Sequence, residues 1–209
     1  DCFIPLAFDI ADVSATTTAL ATLPADLLTN IDVLVNNAGL ALGLEPADKA
    51  DFADWQQMIN TNILGLAHLT HAILPHMTAK NSGYVINIGS TAGNYPYFGA
   101  NVYGATKAFV KQFGLNLRAD LVGKKVRVTN LEPGLCGDTE FSNVRFKGDD
   151  DKAKTVYDGI LFIKPSDIAN IVAWLVEQPE HININTLEVM PTAQTFAGLK
   201  VVKDLWFKQ

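Results

Sequence analysis

The stretch YVINIGSTAGNYPYFGANVYGATK, residues 84–107, decides the fold. It opens as an apolar run, is interrupted by glycines and ends in a helical pattern, which predicts a strand, a turn and a helix. Ser90 stands at the end of the strand, and Tyr103 and Lys107 lie four residues apart on one helix face. A tyrosine beside an ammonium group can exchange protons, because the ammonium stabilises the phenolate and lowers its pKa. Tyr-x-x-x-Lys alone is a weak signal, and Ser90 strengthens it.

Apolar runs and helical patterns alternate along the rest of the chain. The predicted strands cover residues 2–8, 31–39, 84–88, 126–131 and 185–190, and the predicted helices cover 14–30, 51–80 with a break near 60–65, 102–121 and 166–177. This alternation is typical of an α/β fold, a doubly wound parallel sheet of the Rossmann type with helices on both faces. Ligands of such sheets bind beyond the carboxyl ends of the strands. The residues suited to chemistry fall at those ends: Asp9, the turn 36–39, Ser90 and the turn 133–134.

The composition suits one folded domain with a large core, since 48% of the 209 residues are hydrophobic and 18% are charged. The net charge is −6 and no basic run occurs, so neither nucleic acid nor a membrane is an expected partner. No apolar run approaches the length of about 18 residues that a transmembrane helix needs. Cys2 and Cys136 form no disulfide framework, which favours a reducing, cytoplasmic compartment.

We expect no metal-binding or catalytic role for the helix histidines or for Cys136. His68, His71 and His76 have no carboxylate or cysteine at ligand spacing, so we expect helix-surface residues and no metal site. Cys136 follows a turn with no cation near it in the sequence, and we expect a partly buried, unreactive thiol.

Other polar positions have a functional interpretation and a plainer one. Asn62 marks the predicted helix break and can hold a water that links the helix lysine to solvent; a simple kink or N-cap is the alternative. Asp9 can accept a hydrogen bond from an adenine amino group, and a solvated carboxylate explains it equally well. The turns 36–39 and 133–134, with Thr139 behind the second, can meet a ligand through backbone groups or can be ordinary turns.

A set of motifs, taken together, resembles the short-chain dehydrogenase/reductase family. The motifs are NNAG at 36–39, TNILG at 61–65, INIGSTAG at 86–93, YGATK at 103–107 and EPG at 132–134. The resemblance covers essentially the whole chain, and it implies a catalytic tetrad of Asn62, Ser90, Tyr103 and Lys107. In that tetrad Tyr103 passes the proton, Ser90 positions the reacting oxygen and Asn62 maintains a relay water. Lys107 lowers the tyrosine pKa and holds the nicotinamide ribose.

The resemblance also implies a nicotinamide cofactor site. Asn37, Ala38 and Gly39 line the cofactor, Asp9 and Ile10 flank the adenine, and Pro133, Gly134 and Thr139 lie near the nicotinamide. NADP is the expected cofactor, with NAD left open. The family's opening strand, its Thr-Gly-x-x-x-Gly-x-Gly turn and the following helix and strand have no counterpart here. We therefore expect residues 1–209 to form a single domain that is N-terminally incomplete and lacks the turn for the pyrophosphate.

The stretches 132–153 and 181–199 resemble one group within the family, the bacterial NADP-dependent 3-hydroxy acid dehydrogenases. This resemblance implies hydride transfer between NADP and a short 3-hydroxy acid such as serine, allo-threonine or 3-hydroxypropionate, with residues 135–154 as a substrate lid. Arg145 is a candidate for the substrate carboxylate, because a guanidinium binds a carboxylate through two hydrogen bonds. A solvated loop arginine is the alternative.

The family also implies a homotetramer built through the helices at about 52–80 and 102–121. The apolar tail that ends in Leu205, Trp206 and Phe207 either packs on a neighbouring subunit or forms a flexible terminus. Two other functions remain open: a non-catalytic structural or regulatory protein on the same scaffold, and a reductase of other small carbonyl compounds.

Overall fold

The computed structural model of the chain describes residues 3–196, whose core is a four-stranded parallel sheet. The strands are β1 (Val33–Asn36), β2 (Gly83–Ile88), β3 (Val126–Pro133) and β4 (Thr186–Val189), and they lie side by side in chain order. The helices are α1 (Val13–Ala21), α2 (Ala25–Thr29), α3 (Phe52–Ile59), α4 (Leu66–Lys80), α5 (Asn101–Asp120), α6 (Phe141–Arg145), α7 (Asp150–Thr155) and α8 (Pro165–Glu177). A π-helical turn, Asn60–Gly65, joins α3 to α4, and a 3₁₀ turn, Thr91–Gly93, follows β2.

Helices cover both faces of the sheet. On one face Val85 and Val128 pack with Ile73 of α4 and Leu117 of α5. On the other face Ile86 packs against Leu175 of α8. Successive residues of β2 therefore pack against opposite helix layers, because side chains alternate between the two faces of a strand. The predicted doubly wound parallel sheet is confirmed.

Two predictions near the start of the chain are wrong. Residues 3–8 form no strand; no described strand pairs with them, and Phe3 is 88% exposed. An apolar run becomes a strand only when a neighbour takes its backbone hydrogen bonds. The single helix expected over 14–30 is two helices, since Pro24 stands between α1 and α2, and the first is capped by Asp12.

The predicted break in the helix over 51–80 is confirmed as the π-helical turn. The segment 135–154 contains α6 and all but the last residue of α7. No helix in the described part of the chain is long and apolar enough to cross a membrane. Cys2 and the tail 197–209 lie outside the described residues.

A row of asparagines crosses the sheet just below the carboxyl ends of the strands. Asn36, Asn87 and Asn130 face one another in register on β1, β2 and β3, and all three are buried. Asn36 donates to Asn87 at 2.9 Å, and Asn87 donates to Asn130 at 3.2 Å. Gly114 of α5 lies directly on Asn130, where no side chain fits. These hydrogen bonds help to hold β1, β2 and β3 in register, so the turns that follow the three strands begin at the same edge of the sheet.

Candidate active site

Tyr103 lies in the first turn of α5, in an apolar cluster that includes Met58 and Ala41. The side chain is only 7% exposed, and the Phe141 ring lies 5.8 Å from the tyrosine ring. Burial raises the pKa of Tyr103 to about 12, and a hydrogen bond with Ser90 and the charge of Arg145 oppose that shift. Without a ligand, the tyrosine therefore rests as the protonated acid at neutral pH.

Two glycines bring Ser90 to the tyrosine. A Cβ on Gly93 would lie 2.8 Å from the Lys107 carbonyl carbon, and a Cβ on Gly104 would lie 3.0 Å from the Ala92 carbonyl oxygen. Only bare glycine lets the 3₁₀ turn and α5 approach this closely. The Ser90 hydroxyl also accepts a hydrogen bond from Ala92 N at 3.1 Å. The serine is thus held from both sides at the end of β2.

Lys107 lies one turn beyond Tyr103 and is 7% exposed. Its Nζ donates to the Ile88 carbonyl oxygen at 2.9 Å, which ties α5 to the end of β2. Burial lowers the pKa of Lys107 to about 8, so its charge is only moderately favoured at neutral pH. In the protein alone burial dominates the pKa of Tyr103, and the opposing charge is that of Arg145. The expectation that the Lys107 ammonium lowers the tyrosine pKa stays a prediction for the ligand-bound protein.

Asn62 sits inside the π-helical turn and is 1% exposed. Its amide nitrogen donates to the Leu40 carbonyl oxygen at 2.8 Å and to Thr106 Oγ1 at 3.0 Å, and its Oδ1 accepts from Leu40 N at 2.9 Å. Both amide hydrogens are therefore used to join the loop after β1 to α5. The role of Asn62 in holding a relay water stays a prediction.

The turn after β1 runs along the open side of this cluster. Asn37, Ala38 and Gly39 are exposed, and a Cβ on Gly39 would lie 3.3 Å from both Lys107 Nζ and Asn62 Oδ1. An exposed backbone strip beside a buried ammonium group suits a flat, polar ligand that approaches the main chain closely. Sequence reasoning chose these residues, and the structure places Gly39 against two members of the predicted tetrad.

Asp9 and Ile10 are the first candidate cofactor residues in the chain, and Ile10 contacts the π-helical turn that contains Asn62. A Cβ on Gly65 would lie 2.6 Å from the Ile10 carbonyl oxygen, so Ile10 rests directly on that turn. Asp9 is exposed and accepts a hydrogen bond from Ala11 N at 2.9 Å. The solvated carboxylate of the plainer interpretation is what the structure contains, and the adenine contact stays a prediction.

The turn after β3 is held by hydrogen bonds to β4 and to the segment that follows β4. Pro133 is buried, Gly134 N donates to the Val189 carbonyl oxygen at 2.7 Å, and Leu135 N donates to Gln194 Oε1 at 2.7 Å. Thr139 is exposed, and its Oγ1 accepts from Phe141 N at 3.3 Å at the start of α6. These contacts set the turn, and they leave the proximity of Pro133, Gly134 and Thr139 to a nicotinamide as a prediction.

Arg145, at the end of α6, is not a freely solvated loop residue. Its Nη2 donates to the Tyr97 hydroxyl at 2.9 Å, and its Nε donates to the Gly43 carbonyl oxygen at 3.3 Å. The guanidinium carbon lies 5.5 Å from the centroid of the Tyr103 ring. Phe141 and Arg145 are four residues apart on α6, so both side chains of the predicted lid reach the tyrosine. Sequence reasoning missed Tyr97 and Phe141, although the spacing of Phe141 and Arg145 was a usable signal.

The other residues considered in the sequence analysis are the histidines and Cys136. His68 is half-buried and lies 3.5 Å from Thr17 Oγ1, and His71 is exposed. Residues 3–196 contain no group of three or more histidine, cysteine or acidic residues that could hold a metal ion. Cys136 is partly buried, and burial together with Asp167 and Asp138 raises its thiol pKa, which opposes nucleophilic reactivity.

Known proteins resemble the chain over almost all of its length. A probable NADP-dependent dehydrogenase of Haemophilus influenzae is 64% identical over 202 residues, or 97% of this chain and 80% of that protein. The NADP-dependent 3-hydroxy acid dehydrogenase of Escherichia coli is 58% identical over 193 residues, or 92% and 77%. The serine 3-dehydrogenase of Agrobacterium fabrum is 52% identical over 202 residues, or 97% and 80%.

Among solved structures, the closed form of a serine dehydrogenase complexed with NADP⁺ superposes with a TM-score of 0.90 at 58% identity, covering 93% of this chain and 78% of that one. The family model described as short chain dehydrogenase matches residues 1–150. That match includes the asparagine turn, the π-helical turn, Ser90, Tyr103 and Lys107. The chain therefore belongs to the short-chain dehydrogenase family.

Proposed function

We propose that the protein is an NADP-dependent oxidoreductase that interconverts a short 3-hydroxy acid and its oxo acid. The observation that carries this proposal is the buried Tyr103, which lies one helical turn from Lys107 and whose pKa is lowered by the neighbouring Ser90 hydroxyl against the effect of burial. Relatives of 52–64% identity are described as NADP-dependent, 3-hydroxy acid or serine dehydrogenases. The nicotinamide of a bound NADP supplies the hydride chemistry.

The protein's own residues supply the proton chemistry. During oxidation Tyr103 must first release its own proton, and the tyrosinate then accepts the substrate hydroxyl proton; during reduction the protonated Tyr103 donates its proton to the forming alcohol. Ser90 orients the reacting oxygen through its hydroxyl. Lys107 lies next to the exposed strip 37–39, where its ammonium holds the ribose and favours the tyrosinate once a ligand has displaced water. Asn62 keeps the loop after β1 against α5 and is our candidate for supporting the proton relay.

The proposed cofactor contacts are those that the family resemblance implies, and the turn after β1 supports them. Asn37, Ala38 and Gly39 offer an exposed backbone beside Lys107, and the bare Cα of Gly39 leaves the room that a flat ligand needs. Asp9 and Ile10 stand at the adenine end, and the turn 133–134 with Thr139 stands at the nicotinamide end.

Arg145 is our candidate for substrate recognition. It reaches Tyr103 from the segment 135–154, which we propose acts as the substrate lid. A guanidinium next to the proton-transfer residue can bind the carboxylate of a hydroxy acid whose hydroxyl meets Tyr103. A neutral alcohol gains nothing from this contact, so the arginine separates hydroxy acids from simple alcohols.

We also propose a homotetramer that is assembled through the helices over 52–80 and 101–120, and a cytoplasmic location. Apolar side chains that point outward support the assembly: Phe52 is 70% exposed and Ile59 is 41% exposed on α3. Light scattering coupled to size-exclusion chromatography tests the proposed assembly by measuring the mass in solution.

The test of function follows NADPH formation with serine, allo-threonine and 3-hydroxypropionate. We expect turnover of at least one of these acids, and a loss of about 10²–10⁴-fold in kcat for Tyr103→Phe. Tyr95→Phe is the matched control, because the Tyr95 hydroxyl donates to Glu188 Oε1 and to none of the proposed catalytic residues. Binding of NADPH without turnover of any short hydroxy acid refutes the proposed substrate class. No NADPH binding, read by nicotinamide fluorescence, favours a non-catalytic protein.

A further inference from the structure

Arg145 is held between two tyrosine rings. Its guanidinium carbon lies 5.5 Å from the ring centroid of Tyr97 and 5.5 Å from that of Tyr103. The Tyr97 hydroxyl accepts a hydrogen bond from Nη2 at 2.9 Å. Tyr97 comes from the turn before α5, whereas Arg145 comes from α6. The contact therefore joins the lid to the element that carries the proton-transfer tyrosine.

A second support reaches the same guanidinium from the loop after β1. Gly43 accepts from Arg145 Nε at 3.3 Å through its carbonyl oxygen, and Gly43 N donates to the Arg145 carbonyl oxygen at 2.9 Å. Gly43 has φ of +67°, a backbone conformation that glycine adopts without strain. The arginine is thus fixed at its backbone and at its side chain, and Tyr97 is the side-chain group that bonds its far end.

These hydrogen bonds use one edge of the guanidinium and leave the other. A guanidinium has five N–H donors in a planar fork, and Nε shares an edge with Nη2. Gly43 accepts from Nε, and Tyr97 accepts one N–H of Nη2. Among residues 3–196, Nη1 has no hydrogen-bond partner, so the edge that Nη1 shares with Nη2 keeps unused donors. That edge has the two parallel donors that a carboxylate accepts.

We propose that Tyr97 is a positioning residue for substrate specificity: its hydroxyl holds Arg145 with the free edge turned to the carboxylate of a short 3-hydroxy acid whose hydroxyl lies at Tyr103. The proposal rests on the function proposed above. An arginine side chain has many rotamers, and fixing it in one of them when a substrate binds costs conformational entropy. Tyr97 restricts them before binding, so it improves recognition of the acid without touching the reacting atoms.

Tyr97→Phe tests the proposal, because it keeps the ring and removes only the hydroxyl. We expect KM for 3-hydroxypropionate to rise about 3- to 10-fold, with the effect on KM larger than the effect on kcat. KM for propane-1,3-diol, a neutral alcohol of the same chain length, should be unaffected. Tyr95→Phe, which removes a hydroxyl two residues away, should behave as wild type with both compounds.

A double-mutant cycle separates positioning from general loosening of the lid. In an Arg145→Met background, Tyr97→Phe should have no further effect on KM for the acid. An equal rise for the acid and the diol, or a full effect of Tyr97→Phe without Arg145, would overturn the proposal. If the wild-type protein turns over neutral alcohols but no hydroxy acid, the proposed substrate class fails and this inference fails with it. If it turns over hydroxy acids and Tyr97→Phe does not discriminate, only this inference fails.

Direct binding provides a readout that is independent of turnover. Saturation-transfer NMR should detect 3-hydroxypropionate on the NADP⁺-loaded protein and show weaker binding to Tyr97→Phe. Equal affinity of both proteins for the acid contradicts the positioning role. Urea unfolding of Tyr97→Phe should match wild type, which excludes a loss of fold as the cause.

Discussion

Lys107→Met is expected to abolish a rise in stability between pH 8 and pH 10. Lys107 is buried, and its pKa is lowered from 10.5 to about 8 in the folded protein. Below pH 8 both the folded and the unfolded chain carry the proton, so this group adds no pH dependence. Above pH 8 the folded protein loses the proton while the unfolded chain keeps it, so the free energy of unfolding rises with pH.

The magnitude follows from the width of that window. One pKa unit corresponds to roughly 1.4 kcal/mol, so a rise over about two pH units contributes on the order of 2–3 kcal/mol. Tyr103 limits the window at its upper end. Its pKa is raised from 10.0 to about 12, so above pH 10 the unfolded chain loses a proton that the folded protein keeps, and stability then falls.

Urea denaturation at pH 7, 8, 9 and 10 measures the effect as the difference between wild type and Lys107→Met. The wild-type curve should rise above the Lys107→Met curve from pH 8 onward. Lys124→Met is the matched control, since Lys124 is exposed, and its pH profile should parallel wild type. Parallel profiles of wild type and Lys107→Met would refute the argument that burial destabilises the charged lysine.

Asn62→Ala should destabilise the protein by about 1–3 kcal/mol in urea unfolding, because it leaves the partly buried amide and carbonyl of Leu40 without their side-chain partner; an unchanged stability contradicts this. Gly39→Ala places a methyl group 3.3 Å from Lys107 Nζ, and we expect NADPH affinity to fall about tenfold by fluorescence titration while urea stability changes little. Gly114→Ala should destabilise by about 1–3 kcal/mol because its methyl group collides with Asn130. Helix propensity alone predicts a gain of about 1 kcal/mol, so a stabilised variant would show that the contact yields.

The parts of the fold that local pattern dictates were predictable. The apolar runs at 84–88 and 126–131 became β2 and β3, and the glycine-bounded asparagine motif became the π-helical turn. Residues 2–8 carry the same kind of apolar run, yet 3–8 form no strand. An apolar run indicates that a segment favours burial. It does not indicate which other segment will accept and donate the backbone hydrogen bonds that a strand needs.

The chemistry of the site divides in the same way. Spacing placed Tyr103 and Lys107 on one helical face, and the strand end placed Ser90 beside them. The direction of the tyrosine pKa depends on how completely Phe141 and its neighbours exclude water, and no spacing rule contains that quantity. Tyr97 was missed for a related reason: its partner, Arg145, is 48 residues away and meets it only through the tertiary fold.

The asparagine row has a consequence for how the protein assembles its sheet. Parallel strands are joined through distant crossovers, so no tight turn fixes their alignment. A slip of β2 by one residue would turn Asn87 to the opposite layer and break its hydrogen bonds with Asn36 and Asn130. Asn36 would then keep only Thr70 as a partner of its amide nitrogen, and Asn87 would have to find new partners in an apolar layer. The row thus selects one strand register: the alignment that pairs Asn87 with both neighbouring asparagines is also the one that brings Gly39, Ser90 and Pro133 to the same edge of the sheet.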